Sequence, residues 1–388
     1  MLTRARGPFK RRPRLVSAVL VAVGVGCRDA RLPSFDHSGL KPWLMRGHSV
    51  RINGSLYVPG TVTVTPEFVV IGDGGADSAL RFLVRSGPGD GRFFSVGRVG
   101  DGPGEFRQVG RIWKDMSKPS TALWVFDPVL RRLTRIPVGQ GGSRLTSALS
   151  GHEPVWDSIV TVEAASGVRD AVWLTDSSIV GVTLSPVTGR LAFFDSHGRV
   201  ERVSGAFPPV SGVPAQILTQ VYQGPLLVSR GRDRIVVATR FSGLLDLYDG
   251  HGKLVKSARG PFAFKPVYHM VPGSKSRGTG PTAAATIDQR LGYLGLTEYD
   301  GHILALFSGR RLGDYPKNAN FGDQIHVFDW ELRFQCALTL SQEVLSIDAD
   351  DSGALYGIQY EPSPSLVRFE LGGDVCGPGS RVRGVAFR

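Results

Sequence analysis

This sequence has no apolar segment long enough to cross a bilayer as a helix. The run Leu15–Gly26 has twelve residues, whereas a spanning helix needs about 20. Helical periodicity beyond two turns is absent after residue 60, and the 50 glycines show no collagen-like repeat. Together with the 25 prolines they make up about a fifth of the chain, and aromatic residues are spread throughout. Many short strands joined by tight turns explain this composition, so we expect an all-β protein.

The net charge of +12 does not indicate nucleic-acid binding, because half of it lies in one short segment. Six basic residues and no acidic residue fall within the first 26 positions, which leaves +6 for the remainder (12 − 6). No basic helix follows, and no basic run is interleaved with aromatic residues. We therefore expect no nucleic acid among the partners.

The N-terminal segment has the pattern of an export signal, in which basic residues up to Arg14 precede a short apolar region and small residues. Gly24-Val25-Gly26-Cys27 resembles a bacterial lipobox, in which the cysteine carries a lipid after cleavage. The motif usually has leucine where this chain has Gly24. We predict a lipoprotein-type signal peptide over 1–26, lipidation of Cys27 and a tether over 27–60. Secretion without a lipid and an uncleaved anchor are the alternatives.

The residue after the predicted lipidation site bears on the location. Position 28 is arginine rather than aspartate, which in bacterial lipoproteins favours the outer membrane over the inner. The predicted location is therefore that of an outer-membrane-anchored periplasmic or cell-surface lipoprotein, with the membrane as a partner through the lipid.

After residue 60 the pattern is that of short strands separated by tight turns. Thr61–Thr65 alternates with period two. Asp195–Gly198 and Asp249–Gly252 form Asp-x-x-Gly turns, in which the aspartate caps its own backbone and the glycine takes positive φ. Residues 61–388 provide about 55 residues for each of six units, a little more than the usual four-stranded blade. Pro272–Ala285 is too polar and Gly-rich for a strand, so we predict a surface loop there.

Four stretches resemble the bacterial six-bladed β-propeller family related to NHL-repeat and TolB-like propellers, of the exported lipoprotein type. They are G-R-V-G-D-G-P-G-E-F at 97–106, L-W-V-F-D at 123–127, R-I-V-V-A-T at 234–239 and I-H-V-F-D-W at 325–330. The resemblance extends over most of residues 60–388. It implies a six-bladed β-propeller of four-stranded antiparallel blades over 61–388, and it carries no catalytic motif that can be transferred to this chain.

Linear motifs of enzymes and metal sites are missing. The eight histidines are scattered, and neither G-x-S-x-G nor H-E-x-x-H occurs. Asp348–Gly353 matches the start of a calcium loop, but Gln359 stands where a closing glutamate belongs, so a hairpin turn is the simpler interpretation. The glycines of 97–104 more plausibly allow positive φ at a crossover between blades than bind a nucleotide. We predict no catalytic residue, no metal ligand and no cofactor.

Two pairs of residues are nevertheless candidates for a special role. Glu105 and Arg107, which flank Phe106, are expected to face the mouth of the central channel. Cys336 and Cys376 are forty residues apart, and export would allow them to form a disulfide. Two buried free thiols are the alternative.

The expected function is that of a monomeric binding or scaffold module for a protein, a small molecule or a glycan. Loops on one face of a propeller and its central channel would form the ligand surface. The alternative is a metal-dependent hydrolase or lyase whose site is assembled in the channel from one residue per blade. His, Asp or Glu converging on the axis would favour the enzyme. An apolar or aromatic face rimmed by arginine would favour a protein or glycan partner.

Overall fold

A computed structural model describes the chain between residues 43 and 376. Its internal gaps are residues 76, 86–90, 92, 116–121, 140–144, 146–155, 164–166, 185–188, 206, 208–212, 263, 274–279 and 373–374. The predicted signal peptide, Cys27 and the first part of the predicted tether lie outside the described residues. No helix within the described part is both long and apolar enough to cross a membrane.

The described chain is a six-bladed β-propeller, as the sequence predicts, with four antiparallel strands in each blade. Two short strands come first, β1 (Trp43–Met45) and β2 (His48–Ser49). Blade 1 consists of β3 (Pro59–Val64), β4 (Phe68–Asp73), β5 (Ser78–Val84) and β6 (Phe93–Val99), with the short β7 (Glu105–Phe106) beside β6. Blade 2 consists of β8 (Arg111–Lys114), β9 (Ala122–Asp127), β10 (Arg132–Pro137) and β11 (Ser158–Thr161). Blade 3 consists of β12 (Val168–Trp173), β13 (Ser178–Thr183), β14 (Leu191–Asp195) and β15 (Val200–Ser204).

The second half of the ring repeats this plan, with a helix and a hairpin added between blades. Helix α1 (Ala215–Val221) precedes blade 4, which consists of β16 (Leu226–Val228), β17 (Arg234–Ala238), β18 (Leu244–Asp249) and β19 (Leu254–Arg259). A hairpin follows, made of β20 (Tyr268–Val271) and β21 (Thr282–Ala285). Blade 5 consists of β22 (Tyr293–Tyr299), β23 (His302–Phe307), β24 (Gly322–Asp329) and β25 (Phe334–Val344). Blade 6 contains β26 (Ile347–Ala349), β27 (Ala354–Gln359) and β28 (Ser365–Glu370).

The N-terminal strands close the ring. Blade 6 takes its outermost strand from β2, which pairs antiparallel with β28. Strand β1 pairs in parallel with β25 of blade 5. Residues 43–49 therefore add strands to the last two blades, although the sequence predicts a tether there. Strands of three and two residues are too short to show a recognisable periodicity in the sequence.

Apolar side chains fill each of the six interfaces between neighbouring blades. Every interface holds one cluster of buried residues, including the interface of blades 6 and 1, where Ile358 and Leu366 pack with Val69 and Ile71. A blade exposes an apolar face on both sides, so it is shielded only when it has neighbours on both sides. Closure of the ring therefore contributes directly to stability.

One ion pair is fully buried between blades 3 and 4. Arg190, which precedes β14, donates to the Asp246 carboxylate on β18. The two side chains are only 1% and 2% exposed. Arg190 also donates to Thr239 Oγ1 at 2.9 Å, and the Ser257 hydroxyl donates to Asp246. These hydrogen bonds compensate for the removal of both charges from water.

The Asp-x-x-Gly turns have the geometry that the sequence predicts. Asp195 Oδ1 accepts hydrogen bonds from the backbone N–H groups of His197 and Arg199, at 2.8 and 2.9 Å. Gly198 and Gly252 both have positive φ, of 81° and 79°. The aspartate thus replaces the backbone partners that a tight reversal removes.

The predicted surface loop over Pro272–Ala285 is corrected in its last part. Thr282–Ala285 forms β21, which pairs with β20 in an antiparallel hairpin. The hairpin packs on α1, where Ala283 and Tyr268 contact the cluster around Ile217. Tertiary contact with a helix stabilises this strand despite its low intrinsic β-propensity.

Candidate functional site in the central channel

A cavity of about 730 Å³ lies in the central channel. All six innermost strands, β3, β8, β12, β16, β22 and β26, contribute to its wall. It lies towards the ends of these strands, where the turns to the second strand of each blade begin. Its volume is in the range of small-molecule sites.

The inner wall of the cavity is largely apolar. Eight aliphatic residues from the six blades line it, together with the indoles of Trp113 and Trp173. The aliphatic residues are Val62, Val64, Ile112, Val172, Leu227, Val228, Leu296 and Ile347. Such a wall favours the apolar part of a ligand.

Charged side chains ring the cavity, and most are held in ion pairs. Lys114 Nζ lies 3.3 Å from Asp348, and Arg85 pairs with Asp350. Arg230 contacts both Glu298 and Asp351. The remaining pairs of the rim are Arg135 with Asp115 at 2.9 Å and Arg232 with Asp176 at 3.1 Å.

Asp348 joins four blades at this end of the channel. Its carboxylate accepts hydrogen bonds from the Val64 backbone N–H at 2.8 Å and from Thr297 Oγ1 at 2.5 Å. Lys114 of blade 2 forms an ion pair with the same carboxylate. Both carboxylate oxygens are therefore occupied by the protein, and the residue fixes the positions of blades 1, 2 and 5 around blade 6.

Arg111 reaches across the channel. Its Nη2 donates to the backbone carbonyl of Leu296 at 2.6 Å, which belongs to blade 5, three blades away from blade 2. The guanidinium lies over the ring of Trp113, 4.6 Å from the ring centre. Stacking and a hydrogen bond to a backbone carbonyl together hold this side chain in one orientation.

Asp170 on β12 is a buried acid near this arginine. Burial raises the pKa of its carboxyl group, and the positive charges of Arg111 and Arg169 act in the opposite direction. Contacts with the Leu226 backbone and the Trp113 indole also act to lower the pKa of this carboxyl group.

The structure corrects the predicted position of Glu105 and Arg107. Both lie at the outer edge of blade 1, because β7 pairs with the outermost strand β6. Glu105 accepts a hydrogen bond from Gly102 N–H at 2.8 Å, and Arg107 pairs with Asp101. The glycine-rich corner carries the chain from the outside of one blade to the inside of the next. Glu105 and Arg107 therefore lie far from the axis of the propeller, and neither residue lines the cavity.

Two of the four glycines in this corner take the predicted conformation, and Gly100 and Gly102 do not. Gly97 and Gly104 have φ of 74° and 73°. A Cβ at Gly104 would lie 2.2 Å from the Trp156 ring. The corner therefore requires glycine both for its backbone and for close packing.

The segment Asp348–Gly353 is the hairpin turn that the sequence favours. Asp350 Oδ1 accepts from the backbone N–H groups of Ser352 and Ala354, both at 2.9 Å. Its carboxylate thus caps the turn between β26 and β27. Across the described residues, no group of three or more His, Cys, Asp or Glu is arranged to hold a metal ion.

Cys336 and Cys376 are joined by a disulfide in this structure, with their Cα atoms 5.8 Å apart. Cys336 lies on β25, and Cys376 follows the last strand of blade 6. The bond ties the segment after the last blade to blade 5, beside the apolar cluster that separates blades 5 and 6.

One buried histidine does not line this cavity. His326 on β24 lies among Phe307, Phe334 and Tyr293, and burial lowers its pKa to about 3. The imidazole is therefore neutral at ordinary pH and accepts or donates at Nδ1 with the Tyr293 hydroxyl, 3.1 Å away. His197 lies in an exposed turn of blade 3, as its position in the repeat predicts.

The sequence did not single out Arg111, Trp113, Lys114 or Arg230. A signal was available for the first three, since R-I-W-K begins the strand after the glycine-rich corner, and that strand is innermost in blade 2. Their partners lie in blades 5 and 6, however, and no local pattern reveals those contacts.

No protein-family model matches this chain, and no curated protein matches it. Among solved structures, it is similar to a member of the DUF4221 family from Bacteroides vulgatus, at 11% identity and a TM-score of 0.51, over 84% of this chain and 95% of that one. It is also similar to a luciferin-regenerating enzyme, at 12% identity and a TM-score of 0.48, over 87% and 99% of the two chains. A third is virginiamycin B lyase from Staphylococcus aureus, at 10% identity and a TM-score of 0.46, over 84% and 98%.

At such low identity, the DUF4221 structure supports the propeller fold and nothing finer. The relation to NHL-repeat and TolB-like propellers stays a prediction from the sequence.

Proposed function

We propose that this protein is a binding module whose ligand occupies the cavity of the central channel. The proposal is supported by the lining of the cavity, in which an aliphatic and indole wall is combined with a rim of charged side chains from several blades. This is the apolar face rimmed by arginine that favours a protein or glycan partner, in a volume that suits a small molecule or one end of a larger ligand.

The contacts of two rim carboxylates, Asp348 and Asp350, support binding over catalysis. Asp348 is occupied by Val64, Thr297 and Lys114, and Asp350 is engaged by Arg85 and by its own turn. A general acid or base needs a free position within hydrogen-bond reach of the substrate. These carboxylates instead stabilise the shape of the site.

A cavity-filling substitution tests the proposal. A panel of oligosaccharides, short peptides and small organic molecules is screened by thermal shift, and each hit is measured by calorimetry. We expect Val228→Trp, on the cavity wall, to weaken binding of the hits at least about tenfold, because the added indole takes the ligand's space.

Val129→Trp serves as the control, because Val129 is 59% exposed on blade 2 and away from the cavity. Ser352→Trp, in a turn at the cavity rim, is a second test variant, and circular dichroism verifies that each variant is folded. Hits that bind Val228→Trp and Ser352→Trp as well as wild type, or a panel without hits, would contradict the proposal.

We further propose that the chain is exported and lipid-anchored through Cys27. The support is the basic and apolar N-terminal pattern followed by Gly24-Val25-Gly26-Cys27. Cys27→Ser is expected to move the protein from the membrane fraction to the soluble fraction of cells that express the full chain. An unchanged membrane-bound fraction would rule out the lipid.

A further inference from the structure

Among the cations that line the cavity, Arg111 is exceptional in its electrostatic environment. Arg85, Lys114, Arg230 and Arg232 each have a carboxylate within ion-pair distance. In the part of the chain that the structure describes, no carboxylate comes that close to Arg111, whose hydrogen bond goes to a neutral carbonyl.

Asp170 does not neutralise the local charge. Asp170 interacts electrostatically with both Arg111 and Arg169, so one carboxylate faces two guanidinium groups. A net positive charge therefore remains at this point of the wall, where the surrounding side chains are apolar and screening by water is weak.

The side chain of Arg111 is also preorganised. Nη2 is fixed on Leu296 and the guanidinium plane is fixed on Trp113. The remaining N–H groups of a guanidinium form a planar fork that matches a carboxylate. Binding of a ligand to this fork costs little side-chain conformational entropy, because the arginine is already held in one orientation.

We propose that Arg111 binds the carboxylate of a small organic acid whose apolar body lies against the aliphatic wall of the cavity. This inference rests on the proposed binding function and specifies the chemical class of the ligand. The carboxylate replaces the missing ion-pair partner, and Leu227 and Ile347 contact the apolar body.

Pairs of acids and their neutral amides provide the test. Binding of benzoate and benzamide, and of cyclohexanecarboxylate and cyclohexanecarboxamide, is measured by calorimetry on the full protein. We expect each carboxylate to bind about tenfold or more tightly than its amide, because a charge-assisted bidentate contact is available only to the acid. Arg111→Gln should remove this preference.

Arg202→Gln is the matched control, since Arg202 also stacks on an aromatic ring, that of Phe193, but lies away from the channel. Arg111→Lys keeps the charge without the fork and should retain a reduced preference. Equal binding of acid and amide, or a preference that persists in Arg111→Gln, would overturn the inference while the binding function stands. If neither member of a pair binds, the carboxylate site is also overturned, and the panel with Val228→Trp decides the binding function separately.

Discussion

Replacing Arg190 by methionine is expected to lower the free energy of unfolding by about 3–5 kcal/mol. The substitution leaves Asp246 charged between blades 3 and 4, where the aspartate side chain is 2% exposed. Thr239 also loses its donor. Urea denaturation followed by circular dichroism measures the loss.

The double variant Arg190→Met/Asp246→Leu separates an unpaired charge from poor packing. Apolar residues of similar size can replace a buried ion pair at little cost, so the double variant should regain much of the lost stability. Arg311→Met is the control, because Arg311 and its partner Asp314 are 40% and 50% exposed and such pairs contribute about 0–1 kcal/mol. A loss below about 1 kcal/mol in Arg190→Met would contradict the argument from burial.

Removal of the disulfide is expected to cost about 4 kcal/mol of stability. Cys336 and Cys376 are 40 residues apart. In the chain-entropy model, a crosslink that closes a loop of this length lowers the entropy of the unfolded chain, which is equivalent to about 4 kcal/mol of stability. Equilibrium unfolding of Cys336→Ser/Cys376→Ser against wild type under oxidising conditions measures the difference.

The double serine variant also controls for the reductant. Dithiothreitol should destabilise the wild type to the level of this variant and should not affect the variant further. Mass spectrometry of non-reduced peptides identifies the bond directly. Free thiols in the oxidised wild type, or equal stability of the two proteins, would show that the pairing makes no contribution.

The fold was predictable because its signals are local. Strand alternation such as Thr61–Thr65 and turns such as Asp249–Gly252 each specify a hairpin within about ten residues. Repetition of the hairpin implies a ring, since each blade requires neighbours on both sides. The strand Thr282–Ala285 was not predicted, because it depends on packing against α1 rather than on the β-propensity of its own residues.

The candidate site was not predictable in the same way. The prediction for Glu105 and Arg107 relied on their place in a conspicuous glycine-rich corner, yet that corner lies at the outer edge of a blade. Arg111 and Leu296 are separated by 185 positions, and Val64 and Asp348 by 284. No sequence pattern within one blade indicates which residues are in contact across the channel.

The order of residues along the chain is enough to specify strands, reversals at aspartate and glycine turns, and repetition of this unit enough times to close a ring. Those properties depend on neighbours in the sequence and on the polarity of alternate residues. Two features follow only from the three-dimensional structure: Arg111 spans the channel with no carboxylate partner among the described residues, and Asp348 joins blades 1, 2, 5 and 6. The reason is geometric: ring closure brings together side chains from distant blades, and the balance of charge at the axis exists only after that closure.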